Sequence, residues 1–250
     1  MKVVINPSYN YLDSFVKELP DSFSRKGELI YKGRNQIKVF EISGLRVVVK
    51  SFKIPHLINK IAYSFFRSSK AKRSYENTLE IQRRGFYVPN AIAYIETFRF
   101  GLLDKSYFVY EYCEYKRTFK EFDLRPGTFN KKTDILIAFA EYTAKMHESG
   151  IYQKDYSNGN ILFQKTEQGI FFSLVDVNRI IFGDVTEEMA YKAFSRLCAG
   201  EEMLRIIARR YAEMRGFVVA DFVKCVKYYN DQVMKPTPLE EWPPLEPDEE

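Results

Sequence analysis

Stretches with a two-residue period fill the first part of this chain, and stretches with a helical period fill the rest. From Glu28 the pattern is that of strands. Residues 28–31, 36–42 and 45–52 each read as one, with Ile37 and Val39, and Glu41 in line with them, on one face of the second. Lys32-Gly33-Arg34-Asn35 and Ser43-Gly44 supply the turns between them. Residues 69–84 are helical in composition, with Ser68 as the capping candidate and a stop at Gly85, Pro89 beyond. An inward stripe of Ala71, Tyr75, Thr78, Leu79 and Gln82 leaves Glu76 beside it. Two more strands are expected at 87–95 and 106–113, and residues 1–27 give no clear signal.

After Thr118 the period changes. Thr133 caps a predicted helix with Leu136, Phe139, Thr143 and Met146 on one face, ending at Gly150. His147, on its last turn, reads as a packing or capping residue rather than a catalytic base. Residues 161–165 and 170–175 form strands around Thr166-Glu-Gln-Gly169, which predicts a hairpin. Asp184-Val-Thr-Glu187 has the form of a capping box. Helices follow on either side of Gly200, one over 201–215, and the last amphipathic segment covers 221–229.

The hairpin carries the chemistry. In an antiparallel pair the start of the first strand lies beside the end of the second, so Asn160 and Asp176 are expected to meet at the open end. An amide and a carboxylate are hard oxygen donors suited to Mg²⁺ carrying phosphates. Asp155, five residues before Asn160, is placed to orient a hydroxyl, the arrangement that phosphoryl transfer requires. An Asp and Asn at this spacing are also ordinary loop residues, and Asn158-Gly159 alone would pass for a turn. The pair joined to strand, turn, strand and Asp is far less common by chance. A second anomaly lies upstream. Val47-Val-Val-Lys50 sets a lysine at the end of a buried-type run, where it needs either a solvent-facing position or an acidic partner such as Glu76.

Composition narrows the class. With 250 residues the chain has room for one two-lobed domain or two small ones. Its longest apolar run is residues 135–140, too short for a membrane span, and the 1–5 stretch is cut off by Asn6-Pro7 before it resembles a signal peptide. Three scattered cysteines (Cys113, Cys198, Cys225) fit reduced thiols in a cytoplasm, and two histidines make a zinc site an unpromising reading. The net charge of +5 conceals an asymmetry, because the last fifteen residues hold six acidic and five proline residues and no basic one. That tail reads as disordered or loosely attached, and the basic body suits anionic partners.

The order of strands, one helix, a crossover at Glu111-Tyr-Cys-Glu-Tyr115 and then helices bearing the hairpin resembles the protein-kinase-like fold. Within it the chain is most similar to the lipopolysaccharide core kinases, which phosphorylate 3-deoxy-manno-octulosonic acid (Kdo) or heptose. The carriers are Lys32-Gly-Arg-Asn35, Ser-Lys70-Ala-Lys-Arg73-Ser-Tyr-Glu76, Arg84-Gly-Phe-Tyr-Val-Pro89, Met-His-Glu-Ser-Gly-Ile-Tyr-Gln-Lys-Asp155, Gly-Asn160-Ile-Leu and Val-Asp176-Val-Asn-Arg179, within roughly residues 25–215. The resemblance implies an α+β, two-lobe fold. Residues 1–112 would be an N-lobe with an N-terminal extension, a five-stranded antiparallel sheet and the Glu76 helix. Residues 113–235 would be a mostly helical C-lobe, and 236–250 the acidic Pro-rich tail. It further implies ATP and Mg²⁺, with Asp155 catalytic and Asn160 and Asp176 on the metal. Lys50, Glu76, Gly33, Arg34, Asn35, Glu111 and Cys113 would bind the nucleotide, with Glu76 holding Lys50.

This chain departs from that pattern. Gly33-Arg-Asn stands in place of a full glycine-rich loop, Gln153-Lys154 in place of His-Arg, and Val177-Asn178 in place of Phe-Gly. Ser157 occupies the position of a phosphate-contacting lysine, and no Ala-Pro-Glu segment follows Asp176. That last absence favours a carbohydrate or glycolipid acceptor over a peptide, and the resemblance implies a cytoplasmic protein, either free or peripheral on the cytoplasmic face of the inner membrane. Residues 52–67 place Ile54, Leu57, Ile58, Ile61, Ala62 and Phe65 at helical spacing, which fits a helix on the sheet or one on a membrane surface. Other readings are an atypical Ser/Thr or aminoglycoside-type small-molecule kinase, a nucleotide-binding pseudokinase scaffold, and a basic nucleic-acid binder. No nucleic-acid motif supports the last.

Overall fold

Alternation in the third predicted strand decides how the first half of the chain folds. In a computed structural model that describes residues 1–54, 68–122, 133–197 and 200–233, Val47 and Val49 are fully buried on one face of that strand, and Val48, Lys50 and Phe52 are buried on the other. A strand covered on both faces must lie inside a sheet with a layer on each side. The sheet has six antiparallel strands in the order β1 (Lys2–Ile5), β5 (Ala91–Arg99), β6 (Leu102–Glu111), β4 (Leu45–Phe52), β3 (Gln36–Ile42), β2 (Glu28–Lys32). Helix α1 (Asp13–Ser22) packs Leu12, Val16 and Leu19 against Val47, Val49, Ile92 and Val109. On the opposite face, helix α2 (Lys70–Arg83) packs Ala71 and Tyr75 against Phe52, Tyr94 and Phe108.

The expected sheet had five strands, and the sixth is β1. Lys2 to Ile5 pair with Glu96 to Ala93 at the edge of β5. Four residues cut off by Asn6-Pro7 carry too little periodicity to be recognised alone, and the neighbouring strand supplies the stability. The chain leaving β1 is turned back by Asn6, whose side chain accepts from the Ser8 N–H and donates to the Ala91 carbonyl. Two boundaries also move. Ser69, not Ser68, caps α2 by accepting from the Lys72 N–H at 3.0 Å, and the fourth and fifth sheet strands are joined at Phe100-Gly101, closer than expected.

The C-lobe is built on helix α3 (Thr133–Glu148), which packs against α5 (Glu201–Arg215), with α4 (Glu187–Ser195) and α6 (Val219–Val233) completing the helical layer. Gly150 ends the α3 turn at φ +68°, where a Cβ would meet the Gly183 carbonyl oxygen at 3.1 Å. Thr186 rather than Asp184 caps α4, accepting from the Met189 N–H. Between α3 and α4 come β8 (Ile151–Gln153), the hairpin β9 (Ile161–Thr166) and β10 (Gly169–Leu174), and β11 (Ile180–Phe182) against β8. A two-residue strand, β7 (Arg117–Thr118), extends the hairpin sheet on the β9 side. Residues 55–67 of the proposed surface helix, Cys198, and the tail from 234 lie outside the described residues.

Lys38 shows how a polar group is accommodated in this core. It projects from β3 with 8% exposure, and its Nζ donates to the carbonyls of Phe23 (2.7 Å) and Lys26 (2.8 Å) at the end of α1. One ammonium thereby satisfies carbonyls that a helix end leaves without internal partners. Lys38→Met should lower the unfolding free energy in urea by about 2 kcal/mol, since charged hydrogen bonds of this kind contribute about that much. An unchanged denaturation midpoint would show that these bonds contribute nothing.

Candidate active site

The expected hairpin forms. Leu174 pairs with Ile161, and the Val175 N–H donates to the Asn160 carbonyl at 2.9 Å, so Asp176 leaves the hairpin next to Asn160. Asp176 is then held in a left-handed conformation, φ 60° and ψ 52°, which is unfavourable for a residue with a Cβ. Three contacts hold it there. Its Oδ2 lies 2.6 Å from the Lys50 Nζ, its Oδ1 accepts from the Asn178 amide, and its carbonyl accepts from the Gln153 amide at 3.1 Å. Gln153, at the position where a histidine was expected, is thus a fully buried brace between β8 and the Asp176 turn.

Of the two positions open to Lys50 the structure has the buried one, and its partner is Asp176 rather than Glu76. Glu76 is exposed and lies 3.6 Å from Lys72 on its own helix. The inward stripe of α2 is Ala71, Ser74, Tyr75, Thr78 and Ile81, which keeps three of the expected residues and is rotated away from Glu76, with Leu79 outside. Ser74 and Thr78 are tolerated inside because their hydroxyls donate to the carbonyls four residues back. With Lys50, Phe108, Tyr110 and Leu174 they line a narrow cavity of about 20 Å³ beneath the ion pair. Helix α2 also clamps the site by its polar edge. Asn77 donates to the Val177 carbonyl at 2.7 Å, and Arg84 donates to the carbonyls of Ser149 and Gly150 in the other lobe.

Asp155 is partly exposed, with the Arg179 guanidinium 3.9 Å away. Its loop is pinned from below by Tyr156, fully buried, which shares a 2.7 Å hydrogen bond with Thr143 of α3 and stacks on Phe139. The Asn160 amide donates to the Asp155 carbonyl at 3.0 Å, leaving its amide oxygen for a ligand. Among the described residues no three His, Cys, Asp or Glu side chains gather around one point. The donor set on offer is one carboxylate and one amide oxygen. So few hard donors fit Mg²⁺, which keeps waters and substrate phosphates in its shell, and each Asp176 oxygen retains a further lone pair.

Above Asp155 and Asp176 opens a cavity of about 360 Å³, lined also by Arg34, Asn35, Phe52, Lys70, Arg73, Asn178 and Arg179. Arg34 and Asn35 thus stand at the cleft as expected. Gly33 lies in the β2–β3 turn, its N–H donating to the Asn35 carbonyl. Lys70 and Arg73 were not anticipated as site residues, although their spacing of three on a helix puts them on one face. At the crossover, Glu111 is engaged inside the protein. Its carboxylate accepts from the Tyr9 hydroxyl (2.6 Å) and the Asn90 amide (2.8 Å), and its N–H donates to the Asn90 carbonyl. The glutamate side chain is therefore a latch for the N-terminal segment rather than a free nucleotide ligand. Cys113 is buried, and burial pushes its thiol up from the ordinary range.

His147 is a packing residue. It is almost wholly buried, its Nδ1 is 2.8 Å from the Tyr211 hydroxyl, and burial, reinforced by Arg215, lowers its pKa to about 3. The unfolded chain takes up this proton near pH 6.5 while the folded one does not, so His147 stabilises the fold above pH 6.5 and that contribution falls away toward pH 3. His147→Gln should therefore flatten the dependence of unfolding free energy on pH between 6 and 5 by roughly 1 kcal/mol per pH unit. An identical slope in the variant would place the histidine in contact with solvent.

Neither a family model nor a curated protein matches the sequence. By structure the chain has many neighbours, 1502 matching chains, so the likeness identifies a widely used architecture rather than an activity. One neighbour is WaaP in complex with acyl carrier protein, at a TM-score of 0.63 and 15% identity, covering 94% of this chain and 100% of that one. With an antiparallel N-lobe sheet, a helical C-lobe and the Lys50–Asp176 pair between them, the chain has a protein-kinase-like fold.

Proposed function

We propose that the chain is a kinase that moves the γ-phosphate of ATP to a sugar hydroxyl, with lipopolysaccharide core, Kdo or heptose, as the acceptor class. The observation that carries this reading is that Asp155 and Asp176 line one cleft with cations on its rim, with Lys50 paired to Asp176 and the Asn160 amide bonded to the Asp155 carbonyl. Lys50 and Arg34 would bind the phosphates. Mg²⁺ held by Asn160 and Asp176 would neutralise charge on them. Asp155 would orient the acceptor hydroxyl and take its proton while the acceptor oxygen bonds to the γ-phosphorus, the bond from that phosphorus to the bridging oxygen breaks, and ADP leaves.

Arg179, whose guanidinium lies 3.9 Å from Asp155 on the same cavity, sets a cation beside the point where acceptor and γ-phosphate would meet. The glycolipid part rests on the sequence resemblance and on the absence of an Ala-Pro-Glu segment after Asp176. A membrane-surface role for residues 52–67 belongs to the same reading. The competing reading is a pseudokinase, favoured by the engagement of both Asp176 carboxylate oxygens, one by Lys50 and one by Asn178. Asp155→Asn should keep the wild-type melting temperature and nucleotide affinity yet lose on the order of 10²-fold or more in phosphate transfer to a Kdo or heptose acceptor. Near-full turnover would remove Asp155 from the role of base.

A further inference from the structure

The charges around the cleft do not balance. Lys50 is neutralised by Asp176, and Arg179 has Asp155 beside it. On the same cavity stand Arg34, Lys70 and Arg73, and among the described residues neither Arg34 nor Lys70 has a salt bridge or side-chain hydrogen bond. Lys70 is half-buried at the start of α2, facing Arg34 from the β2–β3 turn and Arg73 one helical turn further on. Burial is the largest influence lowering its pKa, and the nearby Arg34, Arg73 and Lys50 outweigh the opposing pull of Asp176. Gathering like charges in a partly desolvated cleft costs stability unless something else compensates them.

We propose that Lys70 is a polyphosphate-contacting residue, which with Arg34 and Arg73 forms an anion cradle in place of the glycine-rich loop that this chain lacks. Naming the ligand as a nucleoside triphosphate rests on the kinase reading of the cleft. The cradle itself rests on Arg34 and Lys70, neither of them salt-bridged among the described residues, at a cavity of about 360 Å³ that Arg73 also lines. Two elements deliver it. The short β2–β3 turn brings Arg34 over the cleft, and the i, i+3 spacing brings Lys70 and Arg73 to it from the first turn of α2. Three cations aimed at one volume hold the oxygens of a triphosphate by charge-assisted hydrogen bonds, as backbone amides of a glycine loop do elsewhere. A helix that elsewhere in this fold offers a glutamate to the strand lysine here offers cations to the phosphates, and Asp176 takes over the lysine.

The test is equilibrium binding by calorimetry to full-length wild type, Lys70→Gln and, as a control for net charge, Lys224→Gln on the exposed face of α6. The probes are a non-hydrolysable ATP analogue, inorganic tripolyphosphate and adenosine, with thermal melting to check that each variant is folded. Lys70→Gln should weaken the ATP analogue and tripolyphosphate by about tenfold or more and leave adenosine within about twofold, with Lys224→Gln unchanged. If wild type binds the ATP analogue and Lys70→Gln binds it equally well, the cradle is wrong and the nucleotide reading stands. If wild type binds tripolyphosphate in a Lys70-dependent way but neither the ATP analogue nor adenosine, the cradle stands and the kinase reading fails. No binding of any probe by folded wild type overturns both.

Discussion

A buried lysine ammonium needs a counter-charge, and among the described residues the carboxylate paired with Lys50 comes from the other lobe. The strand run Val47-Val-Val-Lys50 lies in the sheet, whereas Asp176 lies just past the hairpin of the C-lobe, so neutralising the lysine fixes where the hairpin stands against the sheet. Asp176 accepts a left-handed backbone to make the contact, a conformation costing on the order of 1–3 kcal/mol, and Gln153 and Asn178 hold it there. Asn77 and Arg84 of α2 bridge to the same region. Buried ion pairs are seldom retained for stability alone, because apolar residues of the same volume serve as well or better. A lysine and an aspartate kept together between lobes point to a ligand that separates or shares them.

The helix that usually completes such a site is arranged differently here. Glu76 faces solvent, hydroxyl groups line the inner face of α2 beneath the ion pair, and the helix start presents Lys70 and Arg73 to the cleft. The same scaffold can thus distribute its charges in more than one way. Asp176 has become the partner of Lys50, and positive charge has moved to the rim. A shared architecture says little about activity, and the side chains in the cleft carry the functional argument.

Much of this was legible in the residues. The hairpin and the nearness of Asn160 to Asp176 follow from two apolar strands and a Gly-containing turn, because antiparallel pairing sets the entry of one strand beside the exit of the other. The valines before Lys50 marked it as an anomaly but left its face open, and the structure buries it. What failed to show was the phase of α2. Ser74 looks like a surface residue until its hydroxyl is seen bonded within the helix, and reading it as polar, with Leu79 and Gln82 taken as inward, turned the apparent stripe toward Glu76. Strand β1 and helix α1 were invisible because four residues of strand and a helix containing Pro20 gain their stability only from the sheet they cover. The role of Glu111 was hidden for a similar reason, since Tyr9 and Asn90 reach it across about a hundred and about twenty residues of chain, and no local pattern records such a contact.

The most direct measurement is Mg²⁺-dependent ATP consumption by wild type and Asp176→Ala, with and without a lipopolysaccharide-core acceptor. The account predicts turnover that rises with acceptor in the wild type and disappears in the variant. Nucleotide binding without turnover on any acceptor would contradict it and leave the cleft as the binding site of a pseudokinase.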